Sequence, residues 1–165
     1  APMDLEARLA DPVLDPQRHA EHPEELRLWL RLLTCTQLVE RELRTRLRDE
    51  FETTLPRFDL MAQLERVPSG LRMSELSRRM MVTGGNVTGI TDQLEAEGLV
   101  ERVPVEGDRR AFSVRLTPAG RKQFKAMAER HESWIVDAFA GLSSTEIQAL
   151  HQLLGKVKHH FQEIA

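Results

Sequence analysis

One cysteine, Cys35, stands in 165 residues, and tyrosine does not occur at all. A single thiol excludes an internal disulfide and any Cys-rich zinc site. Aromatic residues make up only 5% of the chain. Lysine is scarce as well, confined to positions 122, 125, 156 and 158, so arginine carries most of the positive charge. No apolar run approaches the ~18 residues of a membrane span, which predicts a chain with no membrane partner. The start Ala1-Pro2-Met3-Asp4 has neither a basic cluster nor an apolar stretch, so no secretory signal is expected and the expected location is cytoplasmic. No phosphate-cradling P-loop and no nucleophile in a motif with a base are present, and the histidines are dispersed. The chain therefore reads as no enzyme, with no catalytic residues and no cofactor.

What is present is an ordinary globular composition, 41% apolar and 30% charged, with length enough to bury a core without staples. The net charge of −3 conceals a division. Residues 1–25 hold seven acids against two arginines, net −5, which leaves +2 on the rest. A mildly acidic total is compatible with nucleic-acid binding when the arginines point one way, because guanidinium forks suit phosphate.

Residues 1–23, with four prolines, read as an irregular acidic arm. Glu24 to about Phe51 lacks Pro and Gly and reads as one long helix. Its first half is apolar nearly all round (Leu26, Leu28, Trp29, Leu30, Leu32, Leu33), which predicts burial on more than one side, a second subunit included. Cys35 beside these leucines reads as a small core residue. Pro56 breaks the chain, and Phe58, Leu60, Met61 and Leu64 mark a short helix. Ser74–Val82 and Thr83–Glu97 are two further helices, the second stopped by Gly98. Phe112, Val114 and Leu116 then alternate as in a strand. Leu99–Val103 is the candidate partner strand, with a polar tip at Pro104–Arg110 between them. Thr117-Pro118 has the cap chemistry of a helix start, and a last helix from Ser143 or Ser144 carries the apolar stripe Leu142, Ile147, Leu150, Leu153, Leu154, Val157, Phe161 and Ile164.

Two short helices at a turn followed by a β-hairpin make a winged helix-turn-helix. The fold class is mainly α with a small β-hairpin wing, a DNA-binding winged helix-turn-helix lobe flanked by long helices. The candidate reading helix opens Thr83-Gly84-Gly85-Asn86-Val87-Thr88-Gly89. Three glycines in seven positions cost a helix roughly 1 kcal/mol each, a cost that close backbone approach to a partner would explain. Asn86 can bond an adenine edge, and the methyl of Thr88 can meet a thymine methyl. Arg78 and Arg79, one helix upstream, suit the DNA backbone. At the hairpin tip, Asp108 is placed to fix one of Arg109 and Arg110 while the other enters a narrow minor groove.

From about Leu60 to Gly120 the chain resembles the MarR family of bacterial transcription regulators. The carrying residues are Leu76-Ser77-Arg78-Arg79-Met80, the run from Thr83 through Gly98-Leu99-Val100, Gly107-Asp108-Arg109-Arg110, and Leu116-Thr117-Pro118-Ala119-Gly120. The flanking long helices extend the resemblance to roughly residues 24–163. It implies a homodimer on a near-palindromic double-stranded operator, with repression relieved by a small anionic or aromatic ligand between dimer and DNA lobes. The expected division is an arm over 1–23, a dimerisation region over 24–56 and 117–165, and a DNA lobe over 57–116. Arg72 departs from the Thr or Ser that many members place at that helix cap, leaving the capping box to Glu75 incomplete, and is assigned to phosphate contact. Peroxide-sensing members pair a cysteine with tyrosine hydroxyls, which this chain lacks.

The run Leu71–Met80 with Val82–Gly89 is similar to members governing aromatic-acid degradation, which implies an aromatic acid or aromatic acyl-coenzyme A thioester as effector. Candidate effector contacts are Arg27, Trp29, Arg31, Leu33, Arg41, Arg44 and Phe58. Two alternatives stay open: a metal-responsive regulator of the same fold, for which His19, His22 and Glu25, or His151, His159 and His160, have workable spacing, and a winged-helix interaction module that binds no DNA. No metal site is assigned.

Overall fold

The computed structural model of the chain describes residues 22–80 and 84–164. The predicted arm, as far as Glu21, and Thr83 lie outside the described residues. Two units divide between Met127 and Ala128.

In the first unit, helix α1 spans Pro23–Phe51. Pro23 in its first turn and the acids Glu24 and Glu25 beside it match the missing partners and positive end of a helix start. The helix closes on Glu52 in left-handed geometry (φ 52°), whose N–H bonds the Arg48 carbonyl at 3.0 Å. Thr34, Leu43 and Leu47 are its buried residues. Leu28, Trp29 and Leu38 are each about half exposed, and Cys35 is exposed too. Leu26, Leu30, Leu32 and Leu33 are half-buried within the single chain, and one expectation is corrected: the thiol is not a core group.

Pro56 starts a helix rather than interrupting the chain before one. Helix α2 spans Leu55–Glu65, with Pro56 in its first turn and Thr54 as cap, accepting the Arg57 N–H at 3.4 Å. Helix α3 (Met73–Met80) and helix α4 (Gly84–Ala96) follow. Gly98, at φ 74°, turns the chain out of α4, and the Leu99 N–H returns to the Leu94 carbonyl at 2.9 Å.

Strand β1 (Leu71–Arg72) joins a hairpin of β2 (Val100–Val105) and β3 (Asp108–Leu116) in an antiparallel sheet ordered β1-β3-β2. Leu71 stands opposite Val114 and Arg72 opposite Ser113. Arg72, expected at a helix cap, is thus a strand residue. The two-residue turn at Glu106-Gly107 has Gly107 at φ 85°. Val114 and Leu116 are buried, whereas Phe112 keeps the alternation but stands 36% exposed, out along the hairpin. Leu60, Leu64, Leu76, Val87, Leu94 and Val114 are nearly free of solvent contact and join α2, α3, α4 and the sheet in one core.

Thr117 then sets the start of helix α5 (Pro118–Ala138). Its hydroxyl donates to the Gly98 carbonyl at 2.7 Å and accepts the Gly120 N–H at 3.0 Å. Gly120 is required there: a Cβ would stand 1.9 Å from the Leu99 carbonyl oxygen. In the second unit, helix α6 (Ser144–Glu163) opens with a reciprocal capping box between Ser143 and Glu146. It buries none of its residues. Among the described residues no helix is long and apolar enough to cross a membrane.

Candidate nucleic-acid interface

Helix α4 has one anchored face. Val87, Thr91 and Leu94, at helical spacing, are buried. The Thr91 hydroxyl donates to the Val87 carbonyl at 2.7 Å, so no polar group is stranded. Gly84 and Gly85 form the first turn. Asn86, Thr88 and Gly89 are exposed, and open space surrounds the position a Cβ on Gly89 would take. Asn86, Thr88 and Gly89 therefore face outward, where a backbone can come close to a flat partner.

Around this helix the arginines divide by what holds them. Arg79 pairs with Glu75 at 3.0 Å. Arg78, Arg109 and Arg110 are exposed and have no ion pair among the described residues; Arg72 is exposed on β1. At the wing tip the structure corrects the expected role of Asp108. Its carboxylate accepts the backbone N–H of Arg110 at 3.0 Å and orders the turn, touching neither guanidinium. Both tip side chains project.

Arg102, on β2, is a functional candidate that the sequence reading passed over. Its guanidinium donates to Asp92 at 2.5 Å and to Glu95 at 2.7 Å, both on α4. Its own N–H reaches Glu95 at 3.3 Å, and the guanidinium carbon lies 5.2 Å from the Phe112 ring centre. The hydrogen bond to Asp92, with Glu95 adding to it, raises the Arg102 pKa above its ordinary value. Asp92 and Glu95 are three residues apart and so share a helix flank; nothing in strand spacing reveals that β2 passes beside it. A second arginine, Arg57 on α2, bonds Glu97 just past the end of α4.

On the other flank of α4 lies a cavity of about 470 Å³. Arg44 and Arg48 come from α1, Thr54 to Arg57 from the start of α2, and Asn86, Ile90 and Gln93 from α4. The Nε of Arg57 is buried there without a hydrogen-bond partner. Of the seven effector contacts expected from sequence, Arg44 lines this cavity, while also paired to Glu40 at 3.1 Å. Phe58 is a core residue stacked on Phe124, 5.4 Å between centres. Arg27, Trp29, Arg31, Leu33 and Arg41 lie on α1 outside the cavity lining. Nearby, Asp59 is held above the usual carboxylate range, first by desolvation and then by the negative charge of Glu40. Among the described residues no three His, Cys, Asp or Glu side chains cluster as a metal site, and His19 lies outside those residues.

The profile of the MarR family matches residues 52–111. The chain is 30% identical over 113 residues to the HTH-type transcriptional regulator PecS of Dickeya dadantii, covering 67% of this chain and 68% of that one. It is 36% identical to a MarR family transcriptional regulator of known structure from Silicibacter pomeroyi, with a TM-score of 0.68 over 82% of this chain and 94% of that one. Sco3205 of Streptomyces coelicolor, a MarR family regulator solved in complex with DNA, shares the fold at 23% identity, with a TM-score of 0.74 over 84% of this chain and 88% of that one. The winged helix-turn-helix, the glycine-rich helix start and the paired arginines of the wing thus stand in a chain that belongs to the MarR family of transcription regulators.

Proposed function

We propose that this protein is a homodimeric repressor that binds a near-palindromic DNA operator and leaves it when a small aromatic anion binds. The observation that carries the reading is the joint exposure of the α4 start and the wing tip, one built of small hydrogen-bonding groups, the other of two projecting guanidiniums. Asn86, Thr88 and the glycines 84, 85 and 89 are positioned to meet base edges in a major groove. Arg109 and Arg110 suit an adjacent minor groove, and Arg72, Arg78 and Arg79 the phosphates. Thr83 belongs to the same set by sequence. The complex of Sco3205 with DNA supports the choice of partner.

Two lobes are needed for a palindrome, about 34 Å apart for successive major grooves on one face. The uncovered leucines of α1 and the wholly exposed apolar stripe of α6 support a second copy of this chain as their cover. The cavity behind α4 supports the effector. Its size suits a small organic ligand, Leu55, Pro56 and Ile90 offer apolar surface, and Arg44, Arg48 and Arg57 offer charge for a carboxylate. An aromatic acid fits this description whole; an acyl-coenzyme A thioester fits by its acyl end. Because Asn86 lines the cavity and also faces outward, an occupant can bias the reading helix directly.

The test is fluorescence anisotropy on DNA from upstream of the protein's own gene, across a salt series. We expect steep salt dependence, and a slope smaller by about one for each phosphate contact removed. Arg109→Ala is expected to weaken binding roughly tenfold or more. An aromatic acid should release the parent chain, and Arg48→Ala should blunt that release while leaving operator binding in place. Binding to no DNA at low salt would overturn the reading.

A further inference from the structure

The reading helix has an electrostatic problem of its own making. Helix α4 contains Asp92 and Glu95 and no Lys or Arg, and Glu97 follows directly. Carboxylates on an element that approaches a polyanion repel it, and a desolvated carboxylate is unfavourable near phosphate. Arg102 meets both carboxylates of the helix at once, through separate guanidinium nitrogens. The arginine is only 23% exposed, while Asp92 is 61% exposed, so the guanidinium is held inward and the acid stands toward solvent. Phe112 backs the same guanidinium from β3. A lone surface ion pair contributes little stability, so this three-way contact is explained better by what it positions than by what it adds to folding.

We propose that Arg102 is a positioning residue that masks the acidic flank of the reading helix and yokes that helix to the wing, without touching DNA itself. This rests on the DNA-binding reading above. The consequence is that helix and wing present to the two grooves as one piece, with fixed separation. Arg102 thus differs in kind from Arg109 and Arg110, although all three lie on the hairpin: those two project, and this one is turned back onto the protein.

Three variants test it, each measured by anisotropy on operator and on unrelated DNA, with circular dichroism to verify folding. Arg102→Met is expected to weaken operator binding by about tenfold, while changing the salt slope by much less than the one unit that marks a lost phosphate contact. Adding Asp92→Asn and Glu95→Gln to that variant is expected to restore affinity to within about threefold, because the mask has nothing left to cover. Asp92→Asn with Glu95→Gln in the presence of Arg102 frees a guanidinium and is expected to raise affinity for unrelated DNA about tenfold; this arm stands even if Arg102→Met fails to fold. Parent-like binding by Arg102→Met overturns the proposal, as does a triple variant left as weak as the single one, or a salt slope reduced by one. A parent chain that binds no DNA removes the DNA-binding reading and this proposal together, whereas failure of the variants alone removes only this one.

Discussion

Gly120 shows how a single missing side chain can carry a motif. The Leu-Thr-x-x-Gly run is readable in sequence, but its reason is not. The Thr117 hydroxyl bridges the Gly98 carbonyl and the Gly120 N–H, drawing the start of α5 against the backbone of Leu99 until no Cβ fits at position 120. Because the obstacle is backbone, it cannot rotate aside. Gly120→Ala is expected to destabilise the fold by roughly 2–4 kcal/mol in urea unfolding, whereas Gly141→Ala, with open space around it, is expected to be near neutral. Another residue-level effect concerns protons. Burial lowers the pKa of His131 from its ordinary 6.5. The unfolded chain therefore takes up a proton on this residue before the folded chain does. Its contribution to stability is complete above about pH 6.5 and is lost as pH falls through the lowered value. Urea midpoints should drop more between pH 7.5 and 5 in the parent than in His131→Gln. Arg102 is the residue that sequence reading missed, and the cause is geometric: its partners lie ten and seven positions back, on a helix, and only the fold sets strand beside helix.

Helix α4 shows how an element can be weakened by the feature that suits it to its task. Gly89 is mid-helix, exposed and unobstructed. Gly89→Ala should therefore stabilise the fold by about 0.5–1 kcal/mol and yet weaken operator binding, since the added methyl stands where the helix would meet the groove. Thermal unfolding and anisotropy on the same variant check both halves; a variant that gains stability and keeps full affinity would show that close approach at Gly89 is unnecessary. The elements with clear local signals were legible: the hairpin from alternation at Val114 and Leu116, the start of α5 from Thr117-Pro118, the end of α4 from Gly98. Strand β1 was not, because two residues carry no period and Leu71-Arg72 becomes a strand only by pairing with Val114 and Ser113. Nor was the cavity, which draws its walls from three separate segments. The effector residues expected along α1 follow from its wealth of arginine, and composition says nothing about which turn of a helix faces a hollow.

At the scale of the molecule, the exposed stripe of α6 is an apolar surface that the single chain leaves without cover. Leu153, Val157 and Phe161 are each about half exposed or more, so the isolated chain does not depend on burying them. A charge at Leu153 should leave the fold intact and break self-association: we expect Leu153→Glu to sediment as a monomer where the parent sediments as a dimer, and to lose operator affinity along with the second lobe. A parent that sediments as a monomer would overturn the homodimer. The neutral, glycine-rich start of α4 has one more consequence, for search rather than for binding. A genome offers millions of wrong sites, and a cationic reading helix would linger on each of them. On the DNA-binding reading proposed above, the attraction sits at the wing and in α3, while the start of α4 has no positive charge of its own. A protein built this way is expected to leave wrong sequences quickly, its time on each set by the wing and α3 and not by the helix that reads.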